Sequence, residues 1–123
     1  MKFLHTCIRV KDLEKSIEFY EMLGFKETNR KDYTDNGFVL VYLSDAEEKY
    51  ELELTYNIGS EGYDLGNGYS HIAISYQDLE AKHQKHKELG YEVTDLKGLP
   101  GTIPSYYFIK DPDGYNVEVI REK

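Results

Sequence analysis

Cysteine, proline and positive charge are scarce in this 123-residue sequence. With one cysteine, Cys7, the chain cannot form an internal disulfide, which is typical of a protein made for a reducing compartment. The 15 Lys and Arg are outnumbered by 23 Asp and Glu, and the net charge of −8 argues against nucleic acid or an anionic membrane as the main partner. No apolar run approaches the roughly 18 to 20 residues of a membrane span, and the opening segment lacks the apolar core of a signal peptide. We therefore expect a cytoplasmic protein that acts on a small molecule and binds neither nucleic acid nor a membrane.

The residues that are present suffice for a folded core. Hydrophobic residues make up 40% of the chain and aromatic residues 14%, with only 3 prolines. A domain of this size buries about two-thirds of the surface that its unfolded chain exposes, so it needs no disulfides to be stable.

The chain repeats itself once. Two stretches of the first half recur in the second half in the same order, and the match places His5 with His71 and Glu53 with Glu118. Such self-similarity indicates a duplicated structural unit. The matched segments are 5–25 with 71–91, at an offset of 66, and 50–56 with 115–121, at an offset of 65.

The repeat predicts a single domain, 1–123, made of two modules at about 1–62 and 68–123. Each module reads as a strand, a helix and three further strands, so the predicted fold is α+β with two βαβββ modules. The predicted strands are 3–10, 25–33, 37–44 and 49–57 in the first module, and 69–76, 91–97, 103–110 and 115–121 in the second.

A helix follows the first strand of each module. Asp12 and Asp78 stand where an N-cap carboxylate accepts orphan backbone N–H groups, and Gly24 and Gly90 stand where a helix end favours positive φ. Helical spacing predicts that four residues of each helix face inward. They are Leu13, Ile17, Tyr20 and Leu23 in the first helix, and Leu79, His83, His86 and Leu89 in the second.

Several chemistry-bearing residues receive a structural interpretation. His83 and His86 could hold a metal at i, i+3 spacing, but their repeat partners Ile17 and Tyr20 favour packing against the sheet. Cys7 lacks a paired base and is expected to pack. The segment 111–114, Asp-Pro-Asp-Gly, predicts a tight turn.

Strand alternation brings candidate metal ligands to shared faces. His5 points the same way as Cys7 and Arg9, and Glu53 and Glu118 stand among apolar residues of their strands, LEL and VEV. Burying a carboxylate there costs free energy unless a positive charge or a hydrogen-bond donor pairs with it. Because the two His and two Glu are equivalent in the repeat, they suggest a His2Glu2 cluster.

Such a cluster suits a six-coordinate divalent ion with exchangeable waters, such as Ni²⁺, Co²⁺, Mn²⁺ or Zn²⁺. Taken alone, each residue has a plainer interpretation: a structural histidine at the start of a strand, or a glutamate that faces solvent on an edge strand. The matched positions favour the metal site over these alternatives.

The whole chain resembles the vicinal oxygen chelate superfamily, and within it the glyoxalase I (lactoylglutathione lyase) family. The resemblance rests on four segments. These are FLHTCIRVKDLEKSIEFY at 3–20, ELELTYN at 51–57, YSHIAIS at 69–75 and DPDGYNVEVI at 111–120. It implies the glyoxalase fold, in which curved mixed sheets form a barrel-like site.

The resemblance also implies an activity. Enzymes of this family isomerise the hemithioacetal of methylglyoxal and glutathione to S-lactoylglutathione through proton abstraction and a metal-chelated enediolate. Carried over by matched position, His5, Glu53, His71 and Glu118 are the metal ligands. Glu118 is the expected catalytic base, with Glu53 as its pseudo-symmetric partner. Short members of the family imply Ni²⁺ or Co²⁺, with Zn²⁺ as the alternative.

Two further roles and an assembly follow from the same resemblance. Arg9 and Asn57 are expected to contact glutathione, although a surface salt bridge for Arg9 and a turn for Asn57 are the plainer alternatives. A homodimer is expected, with His5 and Glu53 of one subunit facing His71 of the partner subunit and Glu118 of the partner subunit. Closure of the site within one chain is the alternative.

One departure from the family pattern leaves the identity of the thiol cosubstrate undetermined. The family usually carries a lysine in the loop before the last hairpin, and Pro100 stands at that position here, with Lys97 nearby.

Two other functions also remain: another enzyme of the superfamily, a thiol transferase or dioxygenase, and a non-catalytic binding protein for a small ligand. The thiol transferases and dioxygenases commonly use one Glu, so the matched Glu53 argues against them.

Overall fold

Two structural units, Met1–Asp64 and Leu65–Lys123, make up the chain in the computed structural model, which describes all 123 residues. The first unit contains a four-stranded sheet in the order β1-β4-β3-β2, with β1 parallel to β4 and the other neighbours antiparallel. A short 3₁₀ turn at 34–36 links β2 to β3. The elements are β1 (His5–Val10), α1 (Leu13–Leu23), β2 (Lys26–Tyr33), β3 (Phe38–Ser44) and β4 (Glu51–Asn57).

The second unit has a three-stranded sheet in the order β5-β7-β6, with β5 parallel to β7 and β6 antiparallel to it. Two mixed sheets and two helices confirm the predicted α+β class. No helix has the length and apolar character to cross a membrane. The elements are β5 (His71–Tyr76), α2 (Leu79–Glu88), β6 (Tyr106–Lys110) and β7 (Asn116–Arg121).

Helix α1 forms as the sequence predicts. The Asp12 side chain accepts a hydrogen bond from the backbone N–H of Lys15 at 3.1 Å, and Gly24 ends the helix with φ +119°. The four predicted inward residues are all buried. Each large apolar side chain taken out of water stabilises the fold by roughly 1.5 to 3 kcal/mol.

Helix α2 departs from the prediction at both ends. Asp78 makes no side-chain capping bond, because its backbone (φ −92°, ψ 66°) lies outside the extended region that aims an N-cap carboxylate at the first turn. Leu89, predicted to face inward, is 54% exposed because the helix ends at Glu88 and Leu89 is its C-cap. His83 and His86 are buried as predicted.

The strand predicted at 91–97 is reduced to two isolated bridges, Val93 with Ile109 and Lys97 with Tyr106. Thr94 explains the interruption. Its N–H donates to the Phe108 carbonyl at 2.9 Å, but the Phe108 N–H donates to the Thr94 hydroxyl instead of to the Thr94 carbonyl. That carbonyl lies 2.8 Å from His83 Nε2. Side-chain bonds of this kind compete with a regular ladder.

The turn at 111–114 forms as predicted. The Asp111 carboxylate accepts the N–H groups of Asp113 and Tyr115, both at 2.9 Å, and Gly114 has φ +95°. This turn joins β6 to β7 and thereby fixes the register that places Glu118 opposite Phe108.

Candidate metal and substrate site

His5 and Glu53 form a pair on one face of the first sheet. His5 Nε2 lies 3.0 Å from Glu53 Oε2. Strands β1 and β4 run parallel with Cys7 opposite Glu53, and β1 alternates between exposed His5, Cys7 and Arg9 and buried Ile8 and Val10. The shared face that strand alternation predicts is therefore present.

Glu53 is only 8% exposed, and hydroxyl groups surround it. Thr55 Oγ1 donates to Glu53 Oε1 at 3.1 Å. Tyr42, the cross-strand partner of Glu53 on β3, places its hydroxyl beside the carboxylate. Burial, followed by the Glu53 carboxylate, raises the pKa of Tyr42 to about 12, so Tyr42 stays a proton donor at any physiological pH.

Cys7, which we expected to pack, is instead exposed on this face. Its Sγ lies 3.2 Å from Thr55 Oγ1. Partial burial raises the pKa of the thiol above its usual value, with Glu53 acting in the same direction. The thiol is therefore kept protonated beside the Glu53 carboxylate.

The second unit contains the equivalent pair. His71 Nε2 lies 3.6 Å from Glu118 Oε1, and the side chain of Glu118 is 21% exposed. Ser70 Oγ lies 2.7 Å from the other ring nitrogen, His71 Nδ1. Phe108 packs against the His71 ring in a T-shaped arrangement, with ring centroids 5.3 Å apart.

The two pairs occupy the same register in their sheets. Glu53 has Cys7 and Tyr42 as its cross-strand neighbours, and Glu118 has Ala73 and Phe108 at the equivalent places. The repeat seen in the sequence is therefore also a repeat of strand pairing.

The donor atoms of the two pairs are of the types that bind a divalent metal ion. Each pair offers one imidazole nitrogen and one carboxylate oxygen, a combination suited to first-row divalent ions. No group of three or more His, Cys, Asp or Glu side chains forms a metal site. The structure thus brings the four predicted ligands together as two pairs, one in each unit.

Arg9 and Asn57 lie along the first sheet. Arg9 is exposed and pairs with Thr55 across the β1–β4 ladder, on the same face as His5. Asn57 ends β4, where its Nδ2 donates to the Tyr63 hydroxyl at 3.1 Å and its carbonyl accepts the Ser60 N–H. Asn57 therefore takes part in a turn, while its half-buried side chain remains close to that face.

Sequence reasoning missed several residues that shape the two pairs. Thr55 carried a usable signal, since it stands two residues from Glu53 on the same strand. Tyr42 and Phe108 carried none, because their place beside the carboxylates depends on the strand register. Ser70 was visible only as the residue before His71.

Comparisons with known proteins show what the whole chain is similar to. The sequence profile of the Glyoxalase/Bleomycin resistance protein/Dioxygenase superfamily matches residues 2–119. The lactoylglutathione lyase of Neisseria meningitidis is 40% identical, over 100% of this chain and 92% of the relative. That of Escherichia coli O157:H7 is 38% identical, over 100% of this chain and 94% of the relative.

A solved structure shares the fold. The trypanothione-dependent glyoxalase I of Leishmania major superimposes with a TM-score of 0.89 and 34% identity, covering 99% of this chain and 87% of that one. Matched over nearly its whole length in sequence and in fold, the chain belongs to the Glyoxalase/Bleomycin resistance protein/Dioxygenase superfamily and, within it, to the lactoylglutathione lyases, the glyoxalase I enzymes.

Proposed function

We propose that this lactoylglutathione lyase isomerises the hemithioacetal of methylglyoxal and glutathione to S-lactoylglutathione, using a divalent metal ion held by four side chains. They are His5, Glu53, His71 and Glu118. The observation that carries the proposal is the recurrence of one His–Glu pair in each unit, at 3.0 and 3.6 Å, in the same sheet register.

Two imidazoles and two carboxylates favour Ni²⁺ or Co²⁺, with Zn²⁺ as the alternative. When bound, the ion would supply a positive charge that stabilises negative charge developing on the substrate oxygens. Closed structural zinc sites more often use thiolates, and the chain has one thiol, that of Cys7.

Glu118 is the proposed general base. The substrate proton lies on carbon next to a carbonyl, so its removal needs a carboxylate that can approach the carbon and later return the proton. Glu118 is the more exposed of the two glutamates, with 21% of its side chain accessible against 11% for Glu53. Glu53 is the pseudo-symmetric partner and remains a ligand.

Arg9 and Asn57 are proposed to bind the γ-glutamyl end of the thiol. Arg9 lies four residues from His5 along β1, about 13 Å at the rise of a strand, which suits the distal end of a tripeptide. Pro100 and Lys97 are both exposed in the loop before β6. Because Pro100 stands where the family usually has a lysine, we propose that the contact with the other end of the thiol differs from the family pattern. One structural relative is trypanothione-dependent, and we propose glutathione for this chain.

Each unit carries half of the ligand set, so the complete site needs both kinds of unit. We propose a homodimer with two sites, each combining His5 and Glu53 of one subunit with His71 of the partner subunit and Glu118 of the partner subunit. Closed point-group dimers are the commonest soluble assembly. The lone cysteine supports a cytoplasmic location.

The experiment is turnover by protein stripped of metal and reloaded with Ni²⁺, Co²⁺ or Zn²⁺. Methylglyoxal is supplied with glutathione, with trypanothione or with a thiol that lacks the γ-glutamyl group. We expect turnover with glutathione only after metal is added. Absence of both metal binding and turnover would refute the proposal.

The matched variant is Glu118→Gln, which keeps an oxygen ligand but no base. We expect kcat to fall by about 10² to 10⁴, the usual contribution of a general base, while the metal content measured by plasma emission stays the same. An unchanged kcat with the metal retained would remove the base assignment.

A further inference from the structure

The residues around the two glutamates differ in a consistent way. Glu53 has Cys7 and Tyr42 as cross-strand neighbours and Thr55 two residues along its own strand. All three carry a hydroxyl or thiol group. Thr55 donates to Glu53 Oε1 at 3.1 Å, the Tyr42 hydroxyl lies beside the carboxylate, and Cys7 Sγ lies 3.2 Å from the Thr55 hydroxyl.

The matched positions around Glu118 are apolar. Its cross-strand neighbours are Ala73 and Phe108, and Ile120 stands two residues along β7. None of these side chains can donate a hydrogen bond to a carboxylate, and Ala73 leaves space beside it. The polar side-chain contact of Glu118 is with His71, at 3.6 Å.

We propose that this difference decides which glutamate can move: Tyr42 and Thr55 are positioning residues that hold Glu53 as a fixed ligand, and their apolar counterparts Phe108 and Ile120 leave Glu118 free to leave its pair and reach the substrate. The inference rests on the proposed function, because it assigns the fixed and the mobile role within the same site. It assigns a positioning role to Tyr42 and Thr55, and it explains why two glutamates at equivalent positions have different roles.

The physical argument concerns rotation of a carboxylate. Turning Glu53 away from His5 also breaks its hydrogen bond with Thr55 and moves the carboxylate away from the Tyr42 hydroxyl, at a position where Glu53 is only 8% exposed. Turning Glu118 away from His71 breaks no further hydrogen bond. The neighbours that the strand register places beside each glutamate therefore determine how easily its carboxylate turns away from the histidine.

The test removes the two hydroxyl groups with substitutions of nearly the same shape, Tyr42→Phe and Thr55→Val together. Positioning partners of metal ligands typically account for about 10- to 100-fold in affinity, so we expect Ni²⁺ affinity, measured by titration calorimetry, to fall by about 10-fold or more. In the Glu118→Gln background we expect the same pair to raise kcat at least about 10-fold over Glu118→Gln alone, because the released Glu53 can then serve as base.

Phe108→Tyr is the reciprocal variant, since it places a hydroxyl beside Glu118 where the first unit has Tyr42. We expect a lower kcat at unchanged KM. Tyr50→Phe, which removes the hydroxyl of a 59% exposed tyrosine, is the control and should change none of these values. The reciprocal variant keeps the test decisive if the double variant does not fold.

Two results separate the inference from the proposed function. If the unaltered protein binds no metal and turns over no hemithioacetal, the proposed function fails. If the unaltered protein is active but Tyr42→Phe with Thr55→Val leaves both metal affinity and the Glu118→Gln activity unchanged, or Phe108→Tyr keeps full kcat, the inference alone is overturned.

Discussion

The imidazole of His71 is oriented from two sides. Ser70 Oγ lies 2.7 Å from Nδ1, and the Phe108 ring packs against the imidazole with centroids 5.3 Å apart. With Nδ1 bonded to Ser70, Nε2 is the nitrogen directed at Glu118 and available to a metal. Leu4, which stands at the position equivalent to Ser70, offers no hydrogen-bonding side chain to His5.

Ser70→Ala is expected to weaken Ni²⁺ binding by about 10- to 100-fold, because the ring loses the hydrogen bond that orients it. Titration calorimetry measures the affinity, and ¹⁵N chemical shifts of the imidazole report the tautomer. Ser70→Thr should retain most of the affinity, and Ser75→Ala, on the same strand, serves as the control. Unchanged affinity and an unchanged tautomer in Ser70→Ala would show that Ser70 has no such role.

The shared face of His5 could be predicted from the sequence for a simple reason. Period-two alternation along a strand is local, so it correctly placed Cys7 and Arg9 on the face of His5. The residues opposite the carboxylates could not be predicted from the sequence. Tyr42 and Phe108 reach them through pairing between strands, and register depends on turn geometry that alternation does not encode.

The predicted strand at 91–97 failed for a related reason. Its composition fits a strand, and two bridges to β6 do form. The hydroxyl and carbonyl of Thr94 are diverted to Phe108 and to His83, and this competition involves a residue of helix α2 that is distant in sequence. The helices and the other strands were predictable because their signals are local: caps, helical spacing and turns.

Helix α2 carries a buried histidine whose protonation the fold opposes. His86 is 1% exposed, and its Nδ1 lies 2.8 Å from the Tyr107 hydroxyl. Burial, with repulsion from Lys82 and Lys85, lowers the pKa of His86 to about 4 from 6.5. The unfolded chain takes up this proton near its ordinary pKa, and the folded chain does not.

The stabilising contribution of neutral His86 is therefore complete above pH 6.5 and is lost as the pH falls from 6.5 toward 4. We expect the loss to be on the order of 2 to 3 kcal/mol in the free energy of unfolding. Urea titrations at pH 7 and pH 4.5 measure it. His86→Gln removes the titrating group, so its stability should fall less over the same range. An identical fall in both proteins would contradict the assignment.

The proposed site combines the ligand pair of one unit with the ligand pair of the other. The dimer proposal makes a prediction about mixed assemblies. Glu53→Ala inactivates the pair of the first unit and His71→Ala the pair of the second unit. In a mixed dimer with sites shared between subunits, one site has both altered pairs and the other has both unaltered pairs.

Co-refolding these two inactive variants should therefore restore about a quarter of the wild-type activity, since half of the dimers are mixed and each has one intact site. Turnover and size-exclusion chromatography of the mixture provide the measurement. Mixing Glu53→Ala with His5→Ala, which both alter the first unit, is the control and should restore nothing. A dimeric mixture without restored activity would place each site within one chain.

Strand β2 lies at the edge of the first sheet, and all eight of its residues are exposed. One side of this strand is paired with β3, so its other side presents unpaired backbone groups that could recruit a strand from another molecule. The side chains of Lys26 and Lys31 make such recruitment unfavourable, because pairing with another strand would take these two cations out of water. We infer that replacing these cations with β-branched apolar residues would favour fibrous aggregates of an otherwise correctly folded protein.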